Sequence, residues 1–400
     1  MDPRELSIAD FTYALPEARI AQQPMADRDG SRLLVYRDGS IHDRQFTELP
    51  SVLPEGALLI LNNTRVVNAR VVLHRTTGAR IEVLCLEPWD GKPVEQAFAE
   101  RGRSEWHGFV GNAKRWKEGE VLELKANELV LCAERNGPER IAFSWSPEAF
   151  TFAEVLEKAG HVPLPPYMKR PDAEADKERY NTVFARHEGS VAAPTASLHF
   201  TPAVLNEIRS RGVTTAELTL HVGAGTFLPV KSDRMAEHAM HREQLRIPLS
   251  ALERLADQLG TGAVIPVGTT ALRSLESIYW HGVKLLNGEE AAQMDIGQWE
   301  PYGHAAGSLP TPAEALQAVI DRVRQDPEHR LIGSTGILIA PGYTFRFADA
   351  LVTNFHQPNS TLLLLVAAFV GPAWRSIYAH ALANDYRFLS YGDASLLFRS

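Results

Sequence analysis

The chain has 400 residues, 44% of them hydrophobic, so it can bury a sizeable core, and its length suggests about two to three domains. Its formal net charge of −8 argues against a protein that coats nucleic acid without specificity, because that binding mode depends on neutralising phosphates. Cys85 and Cys132 are the only cysteines, which argues against a disulfide framework and for a reducing compartment.

The sequence shows no signal that would target the protein outside the cytoplasm. Its first residues lack the basic region and apolar stretch of a signal peptide. The longest apolar run, residues 362–371, is shorter than the ~20 residues that a membrane helix needs. We therefore expect a cytoplasmic protein without a membrane partner. A monomer is expected, although no sequence pattern determines the oligomeric state.

Short strands dominate the first 150 residues. Residues 1–68 alternate apolar runs, such as 33–36 and 58–61, with turn signals, as a buried sheet with brief connections does. Between Val71 and Trp145, hydrophobic residues recur at every second position. Strands are predicted here at residues 80–85, 121–125, 128–132 and 140–145. This pattern is typical of a small antiparallel barrel or sandwich.

Helical periodicity returns after residue 150. A cap is predicted at Ser146, and Thr201 followed by Pro202 predicts the start of a second helix. The residues predicted to face the core are Phe152, Val155 and Leu156 in the first helix and Val204, Leu205 and Ile208 in the second. Further helices are predicted from Pro248 and over residues 312–325. Strands predicted at residues 215–221 and 262–267 make this part mixed α/β.

Four low-charge segments place Gly or Pro beside hydroxyl groups and a His or Arg, a composition that lets a backbone approach a polar ligand closely. They are residues 189–200, 221–230, 267–277 and 353–362. Three of them follow predicted strands, and loops at the carboxyl ends of strands bind ligands in α/β folds. The segments therefore predict one converging site.

Small residues in these segments are candidates for ligand binding. Gly223 and Gly225 either form a tight turn alone or contact a ligand, and the flanking His221 and Thr226 favour ligand contact. Thr195 and Asn354 are further polar candidates in the first and fourth segments.

The third segment reads as strand, turn and helix. Thr269 and Thr270 lie where free N–H groups at a helix start would suit a carboxylate or another anion. Arg273, one turn later, either binds an anion bidentately or pairs with Glu276. The segment is not a P-loop, because the Gly-Lys-Ser/Thr ending is missing.

Three histidines are candidates for acid/base chemistry, and each fits a satisfied core histidine equally well. They are His199, His221 and His356. His238 and His241, with Glu243 nearby, could form half of a metal site. Because the His-Glu-x-x-His pattern and a cysteine cluster are both missing, we expect no metal.

Two basic clusters could bind RNA, and each could equally be a solvated surface. The first combines five cations with two tryptophans: Arg101, Arg103, Lys114, Arg115, Lys117, Trp106 and Trp116. The second consists of Lys169, Arg170, Lys177 and Arg179.

Together with five further motifs, the four segments resemble the S-adenosylmethionine:tRNA ribosyltransferase-isomerase family of queuosine biosynthesis. The further motifs are Asp10-Phe-Thr-Tyr-Ala-Leu-Pro16, Ile20-Ala-Gln-Gln-Pro24, Ser31-Arg-Leu-Leu34, Leu61-Asn-Asn-Thr-Arg-Val-Val-Asn-Ala-Arg70 and Ser390-Tyr-Gly-Asp-Ala394. The likeness covers nearly the whole chain. It implies a larger mixed α/β, barrel-like catalytic domain, residues 1–68 and 151–400, with a small antiparallel β-barrel domain inserted at residues 69–150.

The resemblance also implies a reaction. S-adenosylmethionine donates its ribosyl group to 7-aminomethyl-7-deazaguanine in tRNA, adenine and methionine leave, and epoxyqueuosine forms. No cofactor beyond the cosubstrate S-adenosylmethionine is implied. A base would remove the ribose proton that the sulfonium acidifies, and an acid would help adenine to leave. We expect acid/base groups among the three histidines, Thr195 and Thr226 on sugar or carboxylate oxygens, and Arg273 on an anion.

Neither common alternative for a protein that binds S-adenosylmethionine fits the sequence. No Gly-x-Gly-x-x-Gly turn follows a predicted strand, which argues against a Rossmann methyltransferase. Two widely spaced cysteines cannot supply the cluster of a radical enzyme.

Several positions depart from the family pattern. Ser197 replaces a glycine, Gln357 a leucine and Ala340 an aromatic residue, and residues 278–335 form a longer connection that could cover the site as a lid. These departures keep a second hypothesis open: a repurposed or non-catalytic relative that binds S-adenosylmethionine, a nucleoside or RNA, with a different acceptor.

Overall fold

The computed structural model describes residues 2–223, 230, 232–289, 293–304 and 309–399 of the chain. Strands and helices are numbered in chain order. The described residues form three main sheets, and buried apolar clusters lie against each of them. Cys85 and Cys132 are both free.

A six-stranded mixed sheet carries the largest core. Its spatial order is β15 (Val264–Pro266), β3 (Leu58–Asn62), β13 (Thr214–Leu220), β14 (Glu243–Pro248), β17 (Arg330–Thr335) and β16 (Met294–Ile296). Strand β3 pairs in parallel with both β13 and β15. All five residues of β3 are buried, which explains its continuous apolar run. The carboxyl ends of these three strands therefore lie at one edge.

A four-stranded sheet adjoins that edge. Its order is β18 (Ala350–Asn354), β19 (Ala394–Phe398), β1 (Arg32–Arg37) and β2 (Ser40–Gln45). A parallel bridge between Val267 and Val352 joins the two sheets, and the Gly268 N–H donates to the Val352 carbonyl at 2.7 Å. A short parallel pair, β4 (Thr64–Val66) and β12 (His187–Ser190), extends the same region. Strands β13, β15 and β18 thus end close together, as the sequence predicts.

A seven-stranded antiparallel sheet occupies the middle of the first half. Its order is β11 (Gly160–His161), β5 (Arg70–His74), β6 (Arg80–Pro88), β7 (Arg103–Gly111), β10 (Arg140–Ser146), β9 (Leu129–Arg135) and β8 (Val121–Ala126). The four strands predicted here are confirmed as β6, β8, β9 and β10. Strand β7 was not predicted, because its alternate charged residues indicated a basic surface. The sheet encloses its own core, which includes Trp106, Trp116, Phe143, Trp145 and Phe152.

Ten α-helices lie in the described parts of the chain. They are α1 (Leu49–Val52), α2 (Val94–Phe98), α3 (Phe152–Ala159), α4 (Glu174–Arg179), α5 (Pro202–Ser210), α6 (Leu249–Gln258), α7 (Thr269–Leu286), α8 (Pro312–Arg324), α9 (Thr361–Val370) and α10 (Trp374–Ala383). The predicted start of α5 is confirmed, since Thr201 Oγ1 accepts from the Val204 N–H at 3.2 Å. The cap predicted at Ser146 is wrong. Strand β10 includes Ser146, and Thr151 caps α3 by accepting from the Glu154 N–H at 3.3 Å.

Helices α9 and α10 together form a helical stretch of membrane length around the longest apolar run. Residues Thr361–Ala383 form a 23-residue helical stretch. Its most apolar window has a mean hydropathy of 1.6, and 56% of that window is buried. By length and composition this stretch could span a membrane. Gly371, at φ 59°, divides it into two helices, and most of α9 packs in the main core.

Helix α7 buries a histidine without hydrogen bonds. Neither ring nitrogen of His281 has a partner, and burial, together with Lys284 and Arg322, lowers its pKa to about 4. Since the folded pKa lies below the ordinary 6.5, the unfolded chain binds the proton first, and stability falls as the pH drops from about 6.5 towards 4. At about pH 5 the free energy of unfolding is lower by roughly 2 kcal/mol for this reason.

We therefore expect His281→Leu to raise the free energy of unfolding more at about pH 5 than at about pH 7.5. Urea unfolding at the two pH values measures this difference. His42→Leu is the control, because that ring is exposed to solvent. An equal effect of His281→Leu at both pH values would contradict the linkage.

Candidate functional site

One cavity opens where β13, β15 and β18 end, and it encloses about 710 Å³ including its mouth. Its described lining combines apolar groups with hydroxyls and amides: Tyr167, Ala192, Ala193, Pro194, Thr195, Ala196, Val222, Gly268, Thr269, Thr270, Thr353, Asn354, Phe355, His356, Gln357, Ser360, Leu362, Leu389 and Ser390. All four predicted segments contribute, although the second contributes only Val222 among its described residues. An apolar pocket with a few placed polar groups is the usual form of a small-molecule site.

A chain of hydrogen bonds leads from the cavity wall into the core. Thr195 Oγ1 donates to Asn354 Oδ1 at 2.9 Å, and Asn354 Nδ2 lies 3.2 Å from His199 Nε2. His199 Nδ1 in turn lies 2.9 Å from Ser31 Oγ. Burial lowers the pKa of His199 to about 4, helped by the charge of Arg387. His199 is therefore neutral near pH 7 and lies behind the wall, with both ring nitrogens engaged.

His356 is the one predicted histidine on the described cavity lining. Its Nε2 lies 2.9 Å from Thr353 Oγ1, and its main-chain N–H donates to Tyr378 Oη at 3.1 Å. The Tyr13 hydroxyl donates to its carbonyl oxygen. Burial lowers its pKa to about 3. The ring is thus held neutral, the form that can accept a proton.

His221 bridges two parts of the protein instead of facing the cavity. Its Nδ1 lies 3.0 Å from Thr64 Oγ1, and its Nε2 lies 3.1 Å from Glu95 Oε1 on α2. Arg246 also donates to Glu95, at 2.8 Å. Burial alone raises the pKa of Glu95, but the His221 hydrogen bond and the Arg246 charge leave it below its ordinary value. His221 therefore connects β4 and α2 to the strand end at Val222.

Thr269 and Thr270 lie at the start of α7, on the cavity lining. Gly268, at φ 92°, makes the sharp turn before them that a residue with a Cβ would adopt only under strain. Thr270 Oγ1 lies 3.5 Å from Asn62 Nδ2. The N–H groups of this first helical turn point towards the cavity end of α7, which suits an anionic ligand group.

Arg273 does not belong to the described cavity lining. Its Nη1 donates to Glu243 and its Nε donates to the Ile337 carbonyl at 3.2 Å. Glu276, the partner considered from the sequence, instead accepts from Tyr343 Oη at 2.7 Å and from the Arg346 N–H at 3.0 Å. Burial raises the pKa of Glu243, but Arg273 and His241 bring it down to about 2. Arg273 and Glu243 form a buried ion pair.

Three candidates of the second segment remain, and only one of them is among the described residues. Gly223 is described and does not belong to the cavity lining. Gly225 and Thr226 lie outside the described residues. Within the described ranges, no group of three His, Cys, Asp or Glu side chains could hold a metal ion, and His241 instead lies 3.3 Å from Glu243.

The basic clusters differ in their surroundings. Trp106 and Trp116 are each 1% exposed, so neither tryptophan can stack on a base. In the second cluster, Arg170 binds Asp176 through two hydrogen bonds of 2.7 and 2.8 Å. Lys169 and Lys177 also contact carboxylates, those of Glu17 and Glu174. In the first cluster, Lys114, Arg115 and Lys117 are exposed to solvent.

The residues that depart from the family pattern lie in different surroundings. Gln357 lies on the cavity lining, whereas Ser197 is buried and its hydroxyl has no partner. Ala340 is buried, and its N–H donates to Tyr302 Oη at 3.2 Å. No described residue between 278 and 335 belongs to the cavity lining. The described part of that connection packs on the main core and not as a lid.

Sequence reasoning missed several site residues. Tyr167 and Ser390 lie on the cavity lining, and their hydroxyls are 2.6 Å apart. Ser31 ends the hydrogen-bond chain from Thr195. Ser31 and Ser390 both belong to motifs that carry the family resemblance, so the signal was present, but no spacing rule links them to residue 199 or 354.

The chain is similar to known proteins over nearly its whole length. Residues 8–397 match a family model described as queuosine biosynthesis protein. A protein named S-adenosylmethionine:tRNA ribosyltransferase-isomerase from Chlorobium luteolum is 41% identical, over 98% of this chain and 100% of its own. One of the same name from Azoarcus sp. is 42% identical, over 99% and 98%. A solved structure of an S-adenosylmethionine tRNA ribosyltransferase from Thermotoga maritima is 27% identical, over 97% and 100%, with a TM-score of 0.47.

Proposed function

Because the chain belongs to the family of queuosine biosynthesis proteins, we propose that it transfers and isomerises the ribosyl group of S-adenosylmethionine onto 7-aminomethyl-7-deazaguanine in tRNA, giving epoxyqueuosine and releasing adenine and methionine. The resemblance and the expectation of an enzyme are confirmed by that membership and by the names of the relatives. The expected setting is the cytoplasm. Residues 69–150, which carry six of the seven strands of the antiparallel sheet, are the proposed inserted β-barrel domain.

The convergence of Thr195, Thr269, Asn354 and His356 on one cavity carries this proposal. Such a cavity can surround a nucleoside with apolar groups while a few hydroxyls and amides orient its sugar. Methionine's carboxylate would lie at the start of α7, near Thr269 and Thr270. The apolar walls would keep water from the reactive intermediates.

His356 is the proposed proton acceptor for the ribose carbon beside the sulfonium. It lies on the cavity lining and is neutral near pH 7, as a proton acceptor must be, although a pKa of about 3 makes it a weaker base than an ordinary imidazole. His199 and His221 act in this proposal by holding other groups, because neighbours engage both nitrogens of each ring. Arg273 is assigned to the scaffold through its pair with Glu243.

The direct test incubates the purified protein with S-adenosylmethionine and tRNA that bears 7-aminomethyl-7-deazaguanine. Mass spectrometry should detect adenine and the epoxyqueuosine nucleoside. His356→Ala should bind S-adenosylmethionine and lose at least about 100-fold in turnover, as removal of a general base does. Adenine release without the modified nucleoside would point to a different acceptor, and binding without either product to a non-catalytic relative.

Lys114, Arg115 and Lys117 are the proposed tRNA contacts. Their side chains are exposed to solvent, whereas carboxylates contact Lys169, Arg170 and Lys177 in the second cluster. We expect Lys114→Ala/Arg115→Ala to raise the KM for tRNA several-fold and to reduce the salt dependence by about one unit of log–log slope per cation lost. The KM for S-adenosylmethionine should not change. Lys169→Ala/Lys177→Ala is the control, and an equal effect there would contradict the assignment.

A further inference from the structure

The side-chain amide of Asn354 has one favourable orientation. Its Nδ2 faces the main-chain carbonyl of Asp393 at 3.4 Å, and a carbonyl oxygen can only accept a hydrogen bond. A rotated amide would bring its own oxygen against that carbonyl. In the observed orientation Oδ1 therefore faces Thr195, and Nδ2 faces both Asp393 and His199.

This orientation determines the protons on both sides of Asn354. Because Nδ2 is a donor, His199 Nε2 must be an acceptor, so the neutral imidazole carries its proton on Nδ1, next to Ser31. Because Oδ1 can only accept, the Thr195 hydroxyl must donate its single proton to it. The hydroxyl of Thr195 then has only lone pairs left for the cavity.

We propose that Thr195 is a specificity-determining residue whose hydroxyl oxygen accepts a hydrogen bond from a donor group of the ligand, while Asn354, His199 and Ser31 hold its own proton away from the cavity. This inference rests on the proposed function for the identity of the ligand. It assigns Thr195 to a hydroxyl or amino group of S-adenosylmethionine and not to the methionine carboxylate, which has no proton to donate near pH 7. His199 is accordingly a positioning residue.

The ligand-free protein tests the proton arrangement. Long-range proton–nitrogen NMR spectra of protein with labelled histidines report which ring nitrogen carries the proton, and His199→Gln identifies the His199 signals by their loss. We expect Nδ1 protonated and Nε2 bare near pH 7. A proton on Nε2, or on both nitrogens, would reverse the Asn354 amide, free the Thr195 proton for the ligand and overturn the inference.

Binding measurements test the ligand contact. S-adenosylmethionine is compared with analogues that each lack one donor: the 2′-hydroxyl, the 3′-hydroxyl, the adenine amino group or the methionine amino group. One analogue should bind the wild type about 3- to 10-fold more weakly, the value of one neutral hydrogen bond. Thr195→Val should bind that analogue and S-adenosylmethionine equally, and Thr195→Ser should discriminate as the wild type does.

Failure of the Thr195 inference and failure of the proposed function give different results. If Thr195→Val still discriminates as the wild type does, or weakens every ligand to the same extent, the inference is wrong and the proposed function stands. If the wild type binds no S-adenosylmethionine, the proposed function is wrong, and the histidine spectra of the ligand-free protein still decide how Thr195 presents its oxygen.

Discussion

Replacing Arg273 with Leu is expected to lower the free energy of unfolding by about 3–5 kcal/mol, because it leaves a fully buried carboxylate at Glu243 without its guanidinium. His241 still lies 3.3 Å from Glu243 in this variant. It can balance the carboxylate charge only when its ring is protonated. Urea unfolding monitored by circular dichroism measures the loss. Since the folded pKa of Glu243 is about 2 against an ordinary 4.5, the pair stabilises the fold above about pH 4.5 and loses its effect as the pH falls towards 2.

Two variants separate this structural role from ligand binding. Arg273→Leu/Glu243→Leu should recover much of the stability, because apolar residues of similar volume often replace a buried ion pair without loss. Arg273→Lys keeps the charge and should lose less than Arg273→Leu. If Arg273→Leu unfolds like the wild type and instead loses affinity for S-adenosylmethionine, Arg273 binds an anion after all.

Gly189→Ala is expected to lower the free energy of unfolding by about 2–5 kcal/mol. Gly189 adopts φ +150°, where an L side chain is strained, and an added Cβ would lie 2.5 Å from two atoms of the His221 ring. The ring would have to leave Thr64 or Glu95. Ser190, the next residue, accepts a hydrogen bond from the Val222 N–H at 2.9 Å. Displacement of the chain at Gly189 should therefore move Val222 on the cavity lining and reduce turnover. Thermal unfolding and the product assay measure the two effects.

Gly212→Ala is the matched control. Gly212 also has a positive φ, +77°, but no atom lies within 4 Å of an added Cβ. It should therefore show only the cost of backbone strain, about 1–2 kcal/mol. Gly189→Ala/His221→Ala should be more stable than the sum of its single changes predicts, because the clash is absent. Equal losses in Gly189→Ala and Gly212→Ala would show that the His221 ring does not matter.

Local patterns predicted the elements of this fold better than its site. Alternating hydrophobicity located β8 and β10 within one residue, and Thr201 with Pro202 gave the start of α5. Strand β7 was missed because its outward residues include the charged Arg103 and Glu105, and charge alone does not separate a strand face from a binding surface.

The site depends on contacts between distant residues, which a local pattern cannot contain. The segments around Thr195, Thr269 and Asn354 were predicted to converge, and each contributes to the cavity lining. The orientation of each side chain was not predictable. Arg273 pairs with Glu243, 30 positions away along the chain, and not with Glu276 one turn along the helix. Thr195, Asn354 and His199 form their chain only because the carboxyl end of β18 meets the turn before α5.

The parallel pairing of β1 with β19 places residue 33 beside residue 394. The lining of the cavity, which includes Ala192, Val222, Thr269, Asn354 and Ser390, likewise comes from widely separated parts of the chain. Contacts of such long sequence separation form late, because closing large loops costs entropy before any contact repays it. A chain that has folded only its seven-stranded sheet therefore offers no cavity to a ligand. A ligand can therefore bind the cavity only after the whole fold has formed. A bound ligand stabilises the native state globally, by an amount that grows with its concentration relative to its Kd.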